Sequence, residues 1–188
     1  MKGALEQEDR QRTPFEIKKI LDSMVILVDT REQDTERARR RYEAFGAPYR
    51  RCVLDAGDYS YDAEIAPGKW LCESESRIRP RVAIERKMNL DELAVCFTHE
   101  RNRFEREMQR ARSYDCKLFL IIENATWENL LGGRYRSRFN PKAFLASVMA
   151  WTLRYDLRLI FCKEESTGRL IREICYRDLK ERLEKSEI

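Results

Sequence analysis

Acidic residues stand at four points where the sequence predicts strands to end and turns or helices to begin. Asp29 follows the apolar run at 24–28 (MVILV), Asp58 sits in Gly57-Asp58-Tyr59, Glu85 closes Val82-Ala83-Ile84-Glu85, and Asp91 opens the next helix. Lys87 lies two residues beyond Glu85. In an extended strand, positions two apart share a face, so Glu85 and Lys87 project together. Asp29 and Asp58 converge on them if their strands are neighbours. Such a group suits phosphodiester hydrolysis, which needs a nucleophilic water, neutralised charge around phosphorus and a stabilised leaving oxygen. Mg²⁺ supplies much of this and prefers carboxylate oxygens plus water. Asp58 and Glu85 are the expected metal ligands, with Asp29 helping directly or through water. Lys87 is expected to orient or polarise the attacking water and to offset phosphate charge. Each residue also has a plainer reading. Asp29 and Asp91 suit helix caps or turns. Asp58 suits a tight turn. Arg31 and Glu32 suit a mutual ion pair.

Residues 1–12 read as a polar arm, and 13–188 as a single domain. Thr13-Pro14-Phe15-Glu16 has the cap, the Pro and the third-position Glu of a helix start, predicting a helix over 14–23. The run at 24–28 predicts a buried strand. A helix over 34–45 stops at Gly46 and Pro48. Strands come next at 49–54 and 59–65, with a turn at 55–58 between them. Residues 66–80 form a polar loop or hairpin arm. Then come a strand at 81–86, helices at 90–97 and 100–113, a strand at 117–123 and a helix at 125–131. Asn140-Pro141 opens a further helix, 157–162 forms the last strand, and a helix runs over 168–184. Strands alternate with helices, and the central strands are apolar on both faces. That pattern predicts an α/β fold, a three-layer sandwich around a central mixed sheet.

The 188 residues are 43% hydrophobic and 37% charged, too apolar for a disordered chain and too polar for a membrane protein. No apolar run approaches the roughly 20 residues of a spanning helix, and no signal core opens the chain, so a soluble, cytoplasmic protein is expected. The six cysteines show no CxxC spacing and have one histidine, His99, beside them, which argues for reduced core thiols rather than zinc. Net charge is +4, and arginine clusters at 37–41, 101–112 and 134–138. Arginine suits phosphate through its bidentate fork. Arg101 and Arg103 are candidate DNA contacts, or pair with Glu105 and Glu107 along their helix. Arg134, Arg136 and Arg138 interleave with Tyr135 and Phe139, a composition suited to phosphate contact and base stacking, or to an ordinary basic loop. Trp127 and Trp151 read as core.

Asp58 with Glu85-x-Lys87 matches the PD-(D/E)xK pattern of restriction-endonuclease-like folds. The longer series resembles the XPF nuclease family: Val28-Asp29-Thr30-Arg31-Glu32, Gly57-Asp58-Tyr59 and Glu85-Arg86-Lys87 with Asp91 four residues on carry every position of its GD…ERKxxxD hallmark. Arg103-Phe104 and KLFLIIE extend the likeness, and the VDTREQ, GDYS, Asn140-Pro141 and Arg154-Tyr155 segments resemble small stand-alone members from bacteria and phages. The resemblance implies a Mg²⁺-dependent endonuclease, with Mn²⁺ able to substitute, acting on branched, flap or junction DNA in repair, recombination or phage DNA processing. It implies ligand or metal-support roles for Asp29, Asp58 and Glu85, with Lys87 the catalytic lysine. Glu32, Arg86 and Asp91 become supporting active-site residues. DNA is the implied partner, a homodimer through the apolar faces of the last two helices is expected, and the cytoplasm of a bacterial or phage-infected cell is the implied setting. The sequence holds no helicase domain and no tandem helix-hairpin-helix module, so branch selectivity rests on the resemblance. Two alternatives stand beside this reading. A catalytically inactive partner subunit would lack the ERK motif that this chain retains. A restriction-type enzyme would cut unbranched duplex.

Overall fold

The computed structural model describes residues 12–72 and 76–188, so nearly all of the arm expected at 1–12 lies outside the described residues. The chain runs α1 (Pro14–Asp22), β1 (Val25–Asp29), α2 (Glu36–Glu43), β2 (Tyr49–Cys52), β3 (Tyr59–Asp62), β4 (Glu64–Ala66) and β5 (Lys69–Trp70). It continues through β6 (Val82–Lys87), α3 (Leu90–Phe97), α4 (Arg101–Ser113), β7 (Lys117–Glu123), α5 (Trp127–Leu131), α6 (Pro141–Tyr155), β8 (Arg158–Cys162) and α7 (Glu164–Glu184). The start of α1 forms the anticipated capping box: the Glu16 amide donates to the Thr13 hydroxyl at 3.3 Å, and the Thr13 amide donates to the Glu16 carboxylate at 2.7 Å.

Six strands form one mixed sheet in the order β2-β1-β3-β6-β7-β8. β1 is parallel to β2 but antiparallel to β3, β3 is antiparallel to β6, and β6, β7 and β8 are mutually parallel. Both faces are covered, as the doubly apolar strands require. On one face Ala83, Leu118, Leu120 and Ile122 meet Leu93 of α3, Phe104 and Met108 of α4, and Phe144 and Trp151 of α6. On the other, Ile26, Val28, Tyr59, Val82, Ile84 and Ile121 meet Ile20 of α1, Ala38 and Tyr42 of α2, and Ile171, Cys175 and Leu179 of α7. This is the three-layer α/β sandwich expected from the sequence.

The alternation within β6 assigns its charged end to both sides of the sheet. Val82 and Ile84 face α2 and α7, and Ala83 faces α3 and α4. Continued by two-residue periodicity, Glu85 and Lys87 fall on the α4 side and Arg86 on the α2 side.

Several elements depart from expectation. The strand expected at 59–65 breaks at Ala63 into β3 and β4, and β4 pairs with β5 inside the expected hairpin arm. The last helix begins at Glu164, not at 168. Gly168 suggests a helix start, yet it sits inside α7 because α2 crosses there: a Cβ would lie 2.4 Å from the Arg41 carbonyl oxygen. Trp151 is core, but Trp127 is 37% exposed and packs one edge against Phe161. The apolar row of α7 is spent on the sheet, so of the last two helices α6 leaves the open apolar surface, at Met149 and Leu153. All six cysteines are free thiols. No helix among the described residues is long and apolar enough to cross a membrane.

Candidate active site

β3 and β6 pair at a single register point, Tyr59 opposite Ile84. Just beyond it the Asp58 amide donates to the Ile84 carbonyl at 2.9 Å, and Asp58 Oδ2 accepts the Arg86 amide at 2.9 Å. The side chain thus takes the next rung of the ladder and is locked against the strand carrying Glu85. Gly57 makes the approach possible. Its φ is +74°, and a Cβ there would lie 3.0 Å from Ala83 Cβ and 3.1 Å from the Ile84 nitrogen.

Glu85 and Lys87 share a face as expected, with Lys87 Nζ 2.5 Å from Glu85 Oε1. The ammonium also stands 5.5 Å from the centre of the Phe104 ring on α4. One turn beyond Phe104, Glu107 Oε1 accepts the Gly57 amide at 3.1 Å. Asp58, Glu85, Lys87 and Glu107 line one cleft of about 630 Å³, walled by Arg31, Arg103, Arg106 and Arg110. Helical spacing offers Glu107 to the arginines of its own helix, whereas the fold turns it into the cleft. Its signal is its place beside Phe104 on the inward side of α4.

The electrostatics are tense. Burial, and then the neighbouring Glu85, push the Asp58 carboxyl well above the ordinary carboxylate range. Burial and Glu85 push Glu107 upward as well. Burial pulls the Lys87 ammonium down, but the attraction of Glu85 and Asp58 outweighs it and the net shift is upward, so Lys87 is charged at neutral pH. Asp58, Glu85 and Glu107 each have one oxygen bound to a protein donor and one with no protein donor among the described residues. Crowded, half-satisfied carboxylates are the chemistry a divalent cation relieves. Among the described residues no three His, Cys, Asp or Glu side chains form a closed cage. The donor set fits an ion of the Mg²⁺ kind, which is held by one or two carboxylates and completes its shell with water and phosphate.

The Arg86 side chain leaves β6 on the α2 side of the sheet, yet Arg86, Glu32 and Arg41 all line the same cleft. Arg86 Nη1 lies 3.2 Å from Glu123 Oε2 and its Nη2 3.4 Å from Glu32 Oε1. Arg41 spans the same two acids, at 3.0 Å from Glu32 and 3.5 Å from Glu123. The Tyr59 hydroxyl donates to Glu32 at 2.8 Å. Glu32 therefore pairs with Arg41 and Arg86, while Arg31 pairs with Asp29. Glu123 is fully buried and escapes sequence reasoning; its only mark in the sequence is a carboxylate ending an otherwise apolar strand.

Most of the remaining expected residues lie elsewhere. Asp29 is fully buried and does not line the cleft. One oxygen accepts the Arg31 amide and Nε, and the other accepts the Leu54 amide at 2.7 Å. Its own amide donates to the Asp58 carbonyl at 2.8 Å, so it braces the Asp58 turn from behind. Asp91 is also outside the cleft lining. Its Oδ1 accepts the amides of Arg136 and Ser137, both at 2.7 Å, and its Oδ2 accepts Arg136 Nε at 3.3 Å. It clamps the loop that bears Arg134, Arg136 and Arg138, none of which reaches the cleft. Arg103 lines the cleft and pairs with Glu100, whereas Arg101 does not line it. Arg106 and Arg110 share the wall with Arg103. Glu105 turns to Arg154 and Tyr155 instead.

A mixed six-stranded sheet between helical layers, with an acid at one strand start and acid-x-lysine on its neighbour, makes an α/β fold like that of XPF nuclease-domain structures. The ERCC4 domain family model matches residues 28–174, and the chain belongs to that family. Among solved structures, XPF from Aeropyrum pernix is similar at 22% identity and a TM-score of 0.54, over 80% of this chain and 64% of that one. XPF from Aeropyrum pernix in complex with DNA is similar at 21% identity and a TM-score of 0.55, over 84% of this chain and 65% of that one. At these identities the likeness is one of fold, and the chain spans slightly less than two thirds of either relative's length. No curated protein matches the sequence.

Proposed function

We propose that this chain is a divalent-metal-dependent DNA endonuclease that cuts branched, flap or junction DNA of the kind arising in repair, recombination or phage DNA processing. The observation carrying this reading is the meeting of Asp58, Glu85 and Lys87 at the floor of an arginine-walled cleft in an ERCC4 domain. The DNA-bound state of one structural neighbour supports the choice of polymer.

Asp58 and Glu85 would hold Mg²⁺ or Mn²⁺ through the oxygens not taken by Arg86 and Lys87. Asp29 contributes by holding the Asp58 turn. The cation supplies charge neutralisation at the phosphate and a more acidic water. Lys87, being an ammonium, donates hydrogen bonds to the attacking water or a phosphate oxygen and takes no proton itself. Arg31, Arg103, Arg106 and Arg110 seat the flanking phosphates. Arg86 and Glu32 line the α2 side of the same cleft and fix the end of β6. Asp91 acts through the loop bearing Arg134, Arg136 and Arg138, which offers a second contact for the DNA backbone. Met149 and Leu153 on α6 give a second copy of the chain an apolar seat. Light scattering reports that pairing, and a monomer at micromolar concentration would exclude it.

The test is a cleavage panel of labelled single-strand, duplex, flap, splayed-arm and four-way substrates, run with Mg²⁺, Mn²⁺ or EDTA beside Glu85→Gln. Flap or junction cutting that EDTA abolishes, and that the variant lowers by about 10²-fold or more, is expected. Equal rates for Glu85→Gln and wild type would sink the assignment of chemistry. Equal cutting of linear duplex and flap would replace branch selectivity with the restriction-type reading.

A further inference from the structure

A second cavity, of about 450 Å³, lies at the other end of the sheet. Its walls come from β3, the β4–β5 ribbon, the segment 78–81 before β6, and α7. From Arg81 at its mouth to Glu85 in the cleft is four strand residues, roughly 13 Å.

Four cations line it, Lys69, Arg79, Arg81 and Arg182, and among the described residues no carboxylate does. None of the four has an ion pair among the described residues. Arg182 matters most, because it is only 7% exposed. A guanidinium has five N–H donors. Among the described residues the side chain of Arg182 makes a single hydrogen bond, from Nη1 to the Tyr61 hydroxyl at 3.0 Å, and its Nε has no partner. The nearby acid does not answer this charge directly. Tyr61 donates its own proton to Asp178 Oδ2 at 2.7 Å, and Asp178 Oδ1 is already paired with Lys117 Nζ at 2.6 Å. Arg182, Lys117 and Asp178 together leave one positive charge in excess. Buried charge is retained where something pairs with it, and the open side of this cavity is where a partner can enter. Trp70, carrying Arg50 at 5.8 Å from its ring centre, adds a flat aromatic wall.

We infer that this cavity binds a phosphate-bearing nucleotide of a nucleic-acid strand, with the phosphate on Arg79, Arg81 and Arg182 and the base against Trp70. The inference stands apart from the chemistry assigned to the cleft.

The full chain, in EDTA, is titrated with 5′-phosphorylated dithymidylate, with the same dinucleotide lacking the 5′-phosphate, and with pyrophosphate. Calorimetry gives affinity, and backbone amide shifts give location. The phosphorylated dinucleotide should bind best and move amides at 60–61, 69–72 and 182 rather than 57–58 and 85–87. Arg79→Gln with Arg81→Gln, both at exposed positions, should weaken it about tenfold or more. No binding, binding untouched by the double variant, or shifts confined to the cleft each overturn the site. Pyrophosphate binding as tightly as the nucleotide overturns the nucleotide assignment.

Discussion

Replacing Lys87 by Met separates chemistry from folding in this cleft. Met keeps the unbranched length over Phe104 and removes the charge. At the observed 2.5 Å, Lys87 and Glu85 attract by about 7 kcal/mol at an effective dielectric of 20. Desolvation of two side chains that are 9% and 8% exposed opposes much of that. What the variant exposes is the cost of a buried, unpaired Glu85, about 3–5 kcal/mol. Adding Glu85→Gln removes the stranded charge, so the double variant should recover most of the lost stability in urea unfolding. Cleavage should behave differently. Lys87→Met alone should slow single-turnover cutting by about 10²–10³-fold, and the double variant should be no faster. Cation binding should move the opposite way: with the competing ammonium gone, the Lys87→Met protein should bind Mn²⁺ more tightly in a spin-resonance titration. A variant with unchanged unfolding midpoint and unchanged cleavage, or a double variant less stable than the single one, would refute the pairing argument.

Gly57→Ala places a Cβ 3.0–3.2 Å from Ala83 and the Ile84 backbone at a φ of +74°; together these should cost about 2–4 kcal/mol. By displacing Asp58 they should lower kcat about 10²-fold, read by thermal melting and a flap assay. Gly168→Ala drives a methyl to 2.4 Å from the Arg41 carbonyl and 2.8 Å from Ala44 Cβ. Helix propensity favours the change by about 1 kcal/mol, but the clash involves backbone and wins, so Tm should fall. Asp91→Asn should free the loop at 134–138, raising KM for DNA while leaving kcat nearly unchanged; a fall in kcat alone would return Asp91 to the cleft. Burial raises the Asp91 pKa, but bonds from Ser137 and Arg136 outweigh it, so the net shift is downward. A depressed carboxylate loses its contribution as pH falls through the folded-state pKa. Protection of the Arg136 and Ser137 amides from hydrogen exchange should therefore hold from neutrality down through the ordinary aspartate range and fail only below it.

The layers were legible because each helix and strand has its own strong period. Glu85 and Lys87 were legible for the same reason: two residues apart on one strand, their common direction is local geometry. Asp58 needed one further fact, that β3 lies beside β6. The others were hidden by distance. Asp29 meets Leu54, 25 residues on, Asp91 meets Arg136, 45 residues on, and Glu107 meets Gly57, 50 residues back. No pattern in the chain encodes such pairings. Only the folded arrangement turns Asp29 and Asp91 from cleft carboxylates into braces, and Glu107 from a helix-surface acid into a cleft one.

The tripeptide Glu85-Arg86-Lys87 is better understood as two functions interleaved by the pleat. Its outer members reach the cleft from the α4 side, and its middle member lines it from the α2 side, within the Glu32–Arg41–Glu123 cluster. With Arg37, which pairs with both Glu123 and Glu164, that cluster balances three carboxylates with three guanidiniums, an arrangement that contributes little net stability over an apolar core. What it does contribute is register. Arg86 joins Glu32, which lies just past β1, to Glu123 at the end of β7, while its amide holds Asp58 from β3. A planar fork serves this double reach where a point charge would not. One residue therefore fixes the strand ends from the α2 side while its two neighbours meet on the α4 side of the cleft. The spacing of the motif is set by the two-residue period of the strand that carries it.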